Sequence, residues 1–270
     1  LSTLIIMWSL IPNKLLLIVL KLSIMIRKVI FFSLIGLLIP IIQGCDGGNQ
    51  TMSLSTNDTD PASIQLFKQL PSSETGVRFN NNIQENLHLN YIRYDGLYMG
   101  GGVGIGDVNG DGLPDLYFTG NMVPDKLYLN KGNMKFEDIT VSAGIVDDPN
   151  DWSTGVTMAD VNNDGHLDLF IGNESRSNES HSCELYINQK NGKFLEKSSE
   201  HNLSSIKGFV KAVVFGDINN DQLPDLYVSI MGAQNLLFKN DNGIFKNISK
   251  SAGVEEPKYS FTSWFWDVNN

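Results

Sequence analysis

Cysteine and histidine are scarce in this chain of 270 residues, which contains two of the former and four of the latter. A fold with so few thiols has no framework of disulfide bonds. The sequence also lacks the HExxH, GxSxG and P-loop patterns, so it shows no signature of a zinc protease, a serine hydrolase or a phosphate-binding loop. Nothing in this composition indicates a catalytic centre.

Basic residues are outnumbered, with 20 Lys and Arg against 30 Asp and Glu and a formal net charge of −10. The first 44 residues hold four of the basic side chains and no acidic one, so the remainder of the chain is more acidic still. A surface of this sign repels phosphate backbones and attracts cations. We therefore expect no nucleic-acid partner.

The N-terminus reads as a targeting segment. Residues 25–44 run from a basic MIRK through an apolar stretch of signal-peptide length to Gly44, and Cys45 follows in a pattern that resembles a bacterial lipobox. This predicts lipidation of Cys45 and a lipid-anchored place in the envelope of a Gram-negative bacterium, with the membrane as one partner. An ordinary secretory signal with an incidental Cys45 is the alternative.

The flanks of that leader are less informative. Residues 1–24 are apolar and broken by a Pro-Asn-Lys sequence, which indicates either upstream sequence translated in error or an extra membrane segment. Residues 45–63 are polar and without apolar periodicity, as in a flexible tether. The folded part is predicted over 64–270.

That folded part is a repeat. DVNGDGLPDLYF begins at Asp107, and related stretches begin at Asp160 (DVNNDGHLDLFI), Asp217 (DINNDQLPDLYV) and Asp267 (DVNN). Alternating apolar residues precede each first Asp, an apolar triplet follows the loop, and two further short apolar segments complete each unit. The pattern predicts four strands per repeat of about 50 residues.

Four short strands per repeat favour an all-β fold, a β-propeller with blades at about 100–142, 152–202, 209–252 and 259–270. A solenoid of β-hairpins is the competing architecture. Three blades and the start of a fourth do not close a ring, so we expect a piece of a longer protein.

The spacing D-x-N-x-D-G-x-x-D places oxygen-bearing side chains at positions 1, 3, 5 and 9, with a main-chain carbonyl available at position 7. Hard oxygen donors at such spacing are what Ca²⁺ requires. About three calcium sites and a truncated fourth are predicted. The candidate ligands are Asp107, Asn109, Asp111, the carbonyl of Leu113 and Asp115; Asp160, Asn162, Asp164, the carbonyl of His166 and Asp168; Asp217, Asn219, Asp221, the carbonyl of Leu223 and Asp225; and Asp267 with Asn269.

Alternatives to calcium are weaker. An EF-hand has a twelve-residue loop between helices, whereas these loops lie between strands and close at position 9. Metal-free Asx turns explain one copy but not three in register, and Mg²⁺ is less suited to a cage made wholly of protein oxygens. Gly112 and Gly165 occupy position 6, where a left-handed backbone is expected, and Gln222 in the third loop predicts weaker binding there.

The repeats resemble the FG-GAP/VCBS repeats of integrin-α-like β-propellers. Residues 66–81, 100–121, 126–140 and 151–165 are similar to bacterial surface lipoproteins of the ASPIC/UnbV-associated type. The resemblance implies a propeller with a calcium loop between the first and second strands of each blade.

Three functions are compatible with these features. The first is a non-catalytic, calcium-stabilised binding or adhesion propeller that recognises a protein or a glycan. The second is a propeller-scaffold lyase or glycosidase whose catalytic part lies elsewhere, and the third is an architectural spacer. The aromatic residues around Trp152 and Phe261 are interpreted as core between blades, or else as a shelf for stacking on a sugar.

Overall fold

The computed structural model describes residues 67–146, 151–175, 181–190 and 192–267. Residues 1–24, the predicted leader 25–44, Cys45, the tether 45–63 and Asn269 lie outside these ranges. The described residues belong to one compact unit, Phe67–Asn270. Within those four ranges, no helix combines the length and the apolar character that crossing a bilayer requires.

The described residues form an all-β fold, with three antiparallel sheets of four strands each and two short helices, and none of these sheets is closed on itself. In each sheet the strands follow one another in chain order. The first sheet contains β1 Val103–Gly106, β2 Asp115–Phe118, β3 Lys126–Asn130 and β4 Phe136–Asp138; the second contains β5 Ser153–Ala159, β6 Asp168–Asn173, β7 Glu184–Asn188 and β8 Phe194–Glu196; the third contains β9 Phe209–Gly216, β10 Asp225–Met231, β11 Leu236–Asp241 and β12 Ile244–Asn247. The helices are α1 Ser72–Thr75 and α2 Ser249–Ala252.

The register of each first hairpin places the Asp of position 9 at the start of the second strand. Asp115 pairs with Gly106, Asp168 with Ala159 and Asp225 with Gly216. The acidic loop therefore connects two strands of one sheet, as the sequence predicts. Its two ends are held by the sheet itself.

The sheets bury their side chains against one another, with the second sheet contributing to two cores. Leu169 and Ile171 of β6 join a cluster with Tyr117 and Leu127 of the first sheet. Phe170, between them in sequence, joins a second cluster with residues of the third sheet such as Val213. Since successive strand residues point to opposite faces, a strand packed on both faces must be apolar throughout. This is why the triplet after each loop is a continuous apolar run.

Glycine allows strands of neighbouring sheets to approach closely. A Cβ added at Gly104 of β1 would lie 2.9 Å from Cε of Met158 on β5, and one added at Gly172 would lie 2.9 Å from a methyl carbon of Val213. A side chain at either position would have to displace Met158 or Val213. The glycine-rich stretch before the first loop thus serves packing.

The first strand of the first repeat differs from expectation. The alternation predicts that Val103 and Ile105 face a core, but they are 55% and 65% exposed. Their counterparts Val156 and Met158 pack against the cluster between the first and second sheets. Among the described residues, β1 has a sheet stacked on one side, so the face that carries Val103 and Ile105 is left uncovered.

Cys183 is a free thiol buried at the start of the second sheet's third strand. Burial raises the pKa of this thiol to about 12, which keeps it protonated and unreactive at neutral pH. Its role in the fold is that of a small apolar side chain in the core.

Candidate metal centres

The first Asp of each acidic loop organises the turn by accepting backbone hydrogen bonds. In the first loop, Oδ1 of Asp107 accepts from the N–H groups of Gly110 at 2.8 Å and Asp111 at 3.1 Å, and Oδ2 accepts from Gly112 at 2.7 Å. Burial pushes the pKa of Asp107 upward, but these N–H donors outweigh it and hold the pKa below its ordinary value. The carboxylate is therefore ionised and fixed in place.

The other two loops repeat this arrangement. Asp160 accepts from the N–H groups of Asp164 and Gly165 at 2.9 and 2.7 Å, and Asp217 accepts from Asp221 and Gln222 at 3.2 and 2.8 Å. Three copies with the same donors at the same positions mean that the spacing of the motif determines its conformation.

Positions 4 and 6 of every loop have a left-handed backbone. The φ of position 6 is 84° at Gly112, 87° at Gly165 and 69° at Gln222, which confirms the conformation predicted for that position. The left-handed conformation at position 4 was not predicted, and there the residues are Gly110, Asn163 and Asn220. Asn tolerates this region better than most residues, whereas Gln222 is held there at a cost of roughly 1 kcal/mol.

The closing Asp at position 9 is fully buried and connects three parts of its repeat. Oδ2 of Asp168 accepts from the N–H of Val161 at 3.0 Å, and Oδ1 accepts from Asn188 on β7 at 2.8 Å. Asp115 and Asp225 make the equivalent pairs of bonds. Burial raises the pKa of Asp168 to about 7, against the effect of the two N–H donors and with a further upward push from Asp164 and Asp160. A nearby cation would favour its ionised form.

The loops fit a hard cation in donor chemistry and in the convergence of positions 1 and 3. Oδ1 of Asp107 and Oδ1 of Asn109 both accept the N–H of Asp111 at 3.1 Å, so these two oxygens lie on the same side of the turn. Within the described ranges, no three acidic, His or Cys side chains are gathered into a metal-binding group. Among the described residues, a cage would thus have to combine carboxylates with amide and main-chain oxygens. Carboxylate oxygens that accept one hydrogen bond, such as Oδ2 of Asp107 and Oδ1 of Asp111, retain a second lone pair for it.

The remaining predicted ligands have definite places. The N–H of position 7 donates to the carboxylate of position 5, from Leu113 to Asp111 at 2.9 Å and in the same way from His166 and Leu223. Asn162 and Asn219 accept from the N–H groups of Asp164 and Asp221 at 3.1 and 3.0 Å. Asp267 is exposed at the end of the described chain.

An Asn that the motif does not include joins each of the first two loops to the repeat that follows it. Nδ2 of Asn188, at the end of β7, donates to the carbonyl of Val108 in the preceding loop at 2.7 Å. Nδ2 of Asn240, at the end of β11, donates to the carbonyl of Val161 at 2.9 Å. The sequence carries a signal for this role, since KLYLN, ELYIN and LLFKN all end in Asn. Its partner, 80 residues away, could not be read from that signal.

Two of the loops have a lysine beside the carboxylate of position 5. Nζ of Lys190 lies 3.5 Å from Asp164, and Nζ of Lys239 lies 3.4 Å from Asp221. Among the described residues, no lysine stands within ion-pair distance of Asp111. The loops therefore differ in local charge although they share one conformation.

Comparison with known proteins identifies the repeat. A model of the FG-GAP-like repeat matches residues 107–171 and 172–228. Curated relatives are cartilage acidic protein 1 of Xenopus tropicalis, 31% identical over 161 residues, and of Homo sapiens, 30% identical over 160 residues. The matched segments make up 60% and 58% of this chain but 23% and 22% of those proteins. The chain contains FG-GAP-like repeats, and it spans less than a quarter of the length of these relatives.

These relatives overturn the predicted localisation. They are vertebrate proteins with a name that refers to cartilage, and they are not lipoproteins of the ASPIC/UnbV-associated bacterial type. The assignment to the envelope of a Gram-negative bacterium is therefore wrong. It depended on four residues, 42–45, after an apolar run. A pattern this short also occurs in leaders in which the Cys is not lipidated.

Proposed function

We propose that this chain is a calcium-stabilised, non-catalytic binding module whose sheets are blades of a β-propeller. The observation that carries the proposal is the threefold recurrence of one loop conformation in which Asp107, Asp160 and Asp217 are fixed in the same way by backbone N–H groups. Ionised carboxylates held in a turn by the main chain are pre-organised for a cation, because the entropy of ordering them has already been lost.

Each ion would be held by the oxygens of positions 1, 3, 5 and 9 and by the main-chain carbonyl of position 7. Bound calcium supplies positive charge that offsets the repulsion between the carboxylates of a loop. The chain's own contribution is the turn that presents them and the buried closing Asp that ties the turn to the sheet. The ion would thereby stiffen the corners that no disulfide secures.

The propeller is supported by the way the sheets stack. Their first strands lie side by side, with Gly104 of β1 against Met158 of β5 and Gly155 of β5 against Val213 of β9, and the remaining strands follow outward in chain order. Radial stacking of four-stranded sheets is the arrangement of propeller blades. Neither the description of the repeat nor the names of the relatives mention a catalytic activity. Binding of a protein or a glycan is therefore a better proposal than catalysis of a reaction.

Calcium is expected to raise the melting temperature of the chain, and a chelator is expected to lower it by several degrees. The reason is that an ion bound only to the folded state stabilises that state by mass action. Differential scanning calorimetry in EDTA, and then in excess Ca²⁺ or excess Mg²⁺, measures the effect. A melting temperature that EDTA does not change would contradict the proposal, and equal rescue by Mg²⁺ would contradict the choice of ion.

The third loop is expected to be the weakest, and replacing Lys239 with methionine is expected to strengthen it. The ammonium of Lys239 lies 3.4 Å from Asp221, and its loss removes a positive charge that competes with the ion. Because solvent screens this charge, the gain in Ca²⁺ affinity is expected to be about two- to five-fold. Calorimetric titration with Ca²⁺ measures the change. Lys246→Met, which alters an exposed lysine on β12, is the matched control, and equal affinities for both variants would refute the expectation.

A further inference from the structure

A cavity of about 400 Å³ lies at the end of the first strands opposite to the acidic loops. Trp152 and Thr154 at the start of β5 and Lys211 near the start of β9 line it, together with Tyr94 and Phe261. The acidic loops follow the other ends of these strands, at Ala159 and Gly216. Volumes of this order are typical of small-molecule sites.

Lys211 and Tyr94 contribute the polar groups of a wall of this cavity, and Glu174, which does not line it, bonds to both of them and completes a trio. Nζ of Lys211 lies 2.7 Å from Oε2 of Glu174, and the side chains are 6% and 0% exposed. The hydroxyl of Tyr94 donates to the same Oε2 at 2.8 Å and accepts from Nζ of Lys211 at 3.2 Å. An ammonium has three hydrogens to donate, and within the described residues the third one from Lys211 has no acceptor.

The rest of the wall is aromatic and glycine-rich. Trp152 is 4% exposed and meets the ring of Tyr94 edge-on, with centroids 5.7 Å apart. Phe261 is 46% exposed beside the same cavity. Gly100 and Gly101 add backbone without side chains. Ring faces next to a few fixed polar groups provide both an apolar surface and directed hydrogen bonds.

The charges select the ligand class. Glu174 neutralises Lys211 across 2.7 Å, so the trio carries no net charge and offers an anion no advantage. To the cavity it presents a donor in Lys211 beside the hydroxyl of Tyr94. A ring that bears adjacent hydroxyls satisfies both kinds of group, and its C–H face packs on aromatic rings.

We propose that this cavity binds a neutral hexopyranose, as the end residue of a glycan. The inference rests on the proposed binding function and specifies its ligand. Lys211 would donate to a sugar hydroxyl, Glu174 and Tyr94 would hold the ammonium in position, and Phe261 would cover the ring. The site is distinct from the acidic loops and requires no metal ion.

The test is calorimetric titration of the calcium-loaded intact chain with the methyl glycosides of glucose, galactose, mannose and N-acetylglucosamine. Each glycoside is added to a final concentration of about 10 mM, because a single sugar ring is expected to bind weakly. At least one is expected to bind, and the oligosaccharide that ends in the same residue is expected to bind more tightly if a glycan is the natural source. Lys211→Met combined with Glu174→Gln removes both charges together, so that neither is left buried alone. This double variant is expected to lose binding at least ten-fold.

Lys246→Met serves as the control and is expected to bind like the parent chain. The melting temperature with and without Ca²⁺ is measured on every sample, so that loss of fold, or failure of the calcium proposal, is seen separately from failure of the sugar site. Where the double variant does not fold, Phe261→Ala, at an exposed position, takes its place and is expected to weaken binding several-fold. No binding of any glycoside by the folded chain would overturn the proposal, and so would tighter binding of glucuronate than of glucose or binding that these variants leave unchanged.

Discussion

Replacing Asp168 with alanine is expected to lower the free energy of unfolding by about 3–5 kcal/mol. The carboxylate is fully buried, and its loss leaves the N–H groups of Val161 and Asn188 without acceptors. Each unsatisfied buried donor costs about 1–3 kcal/mol. That is a large share of the 5–15 kcal/mol that separates folded from unfolded states in most domains. Urea unfolding in the presence of EDTA measures the change without any contribution from calcium.

The matched control is Asp95→Ala, which removes an exposed carboxylate elsewhere in the chain. It is expected to change the free energy of unfolding by less than about 0.5 kcal/mol. If Asp168→Ala does not fold, Asp168→Asn keeps one oxygen acceptor and is expected to fall between the two. If Asp168→Ala lowers the free energy of unfolding in EDTA by no more than the control does, the closing Asp has no structural role beyond binding an ion.

Replacing Asn188 with leucine is expected to cost about 3 kcal/mol and to loosen a loop that lies in a different repeat. Its side chain donates to the carbonyl of Val108 in the first loop and to that of Leu167 in the loop of its own repeat, and it accepts the N–H of Lys190. Three hydrogen bonds, one buried and two partly buried, at about 1 kcal/mol each give the estimate. Hydrogen exchange followed by mass spectrometry is expected to show lower protection in residues 107–115, about 80 positions away in sequence.

Asn130→Leu is the internal control for this effect. Asn130 makes the equivalent bonds within its own repeat, to Pro114 and Gly132, but none of its hydrogen bonds among the described residues reaches another acidic loop. It is expected to cost about 2 kcal/mol, from two bonds instead of three, and to leave exchange in residues 160–168 unchanged. Equal and purely local effects of the two variants would show that the loops are not joined through Asn188.

The repeat itself could be predicted from sequence because its signals are local. Asp and Asn at alternate positions define the turn, the apolar triplet after each loop marks a strand buried on both faces, and Gln222 adopts the left-handed backbone expected at position 6. Each of these features depends on residues fewer than ten positions apart. Such patterns can be recognised without knowledge of the tertiary fold.

The contacts between repeats could not be predicted in the same way. Asn188 meets Val108 and Lys211 meets Tyr94 across 80 and 117 positions, and neither pair has a spacing that marks it. The exposure of Val103 and Ile105 depends on which sheet lies beside β1, which the strand's own alternation does not encode. The buried closing Asp shows the same limit, since the spacing identifies a carboxylate but not the strand N–H groups that it accepts.

The most direct measurement of the central claim is a count of calcium ions bound to the intact chain by equilibrium dialysis and metal analysis. The proposed cages predict three ions per chain, and two for Asp111→Ala, since that change removes a donor oxygen from the first loop alone. A chain that retains no calcium above the level of a triple variant with Asp111, Asp164 and Asp221 all replaced by alanine would contradict the account.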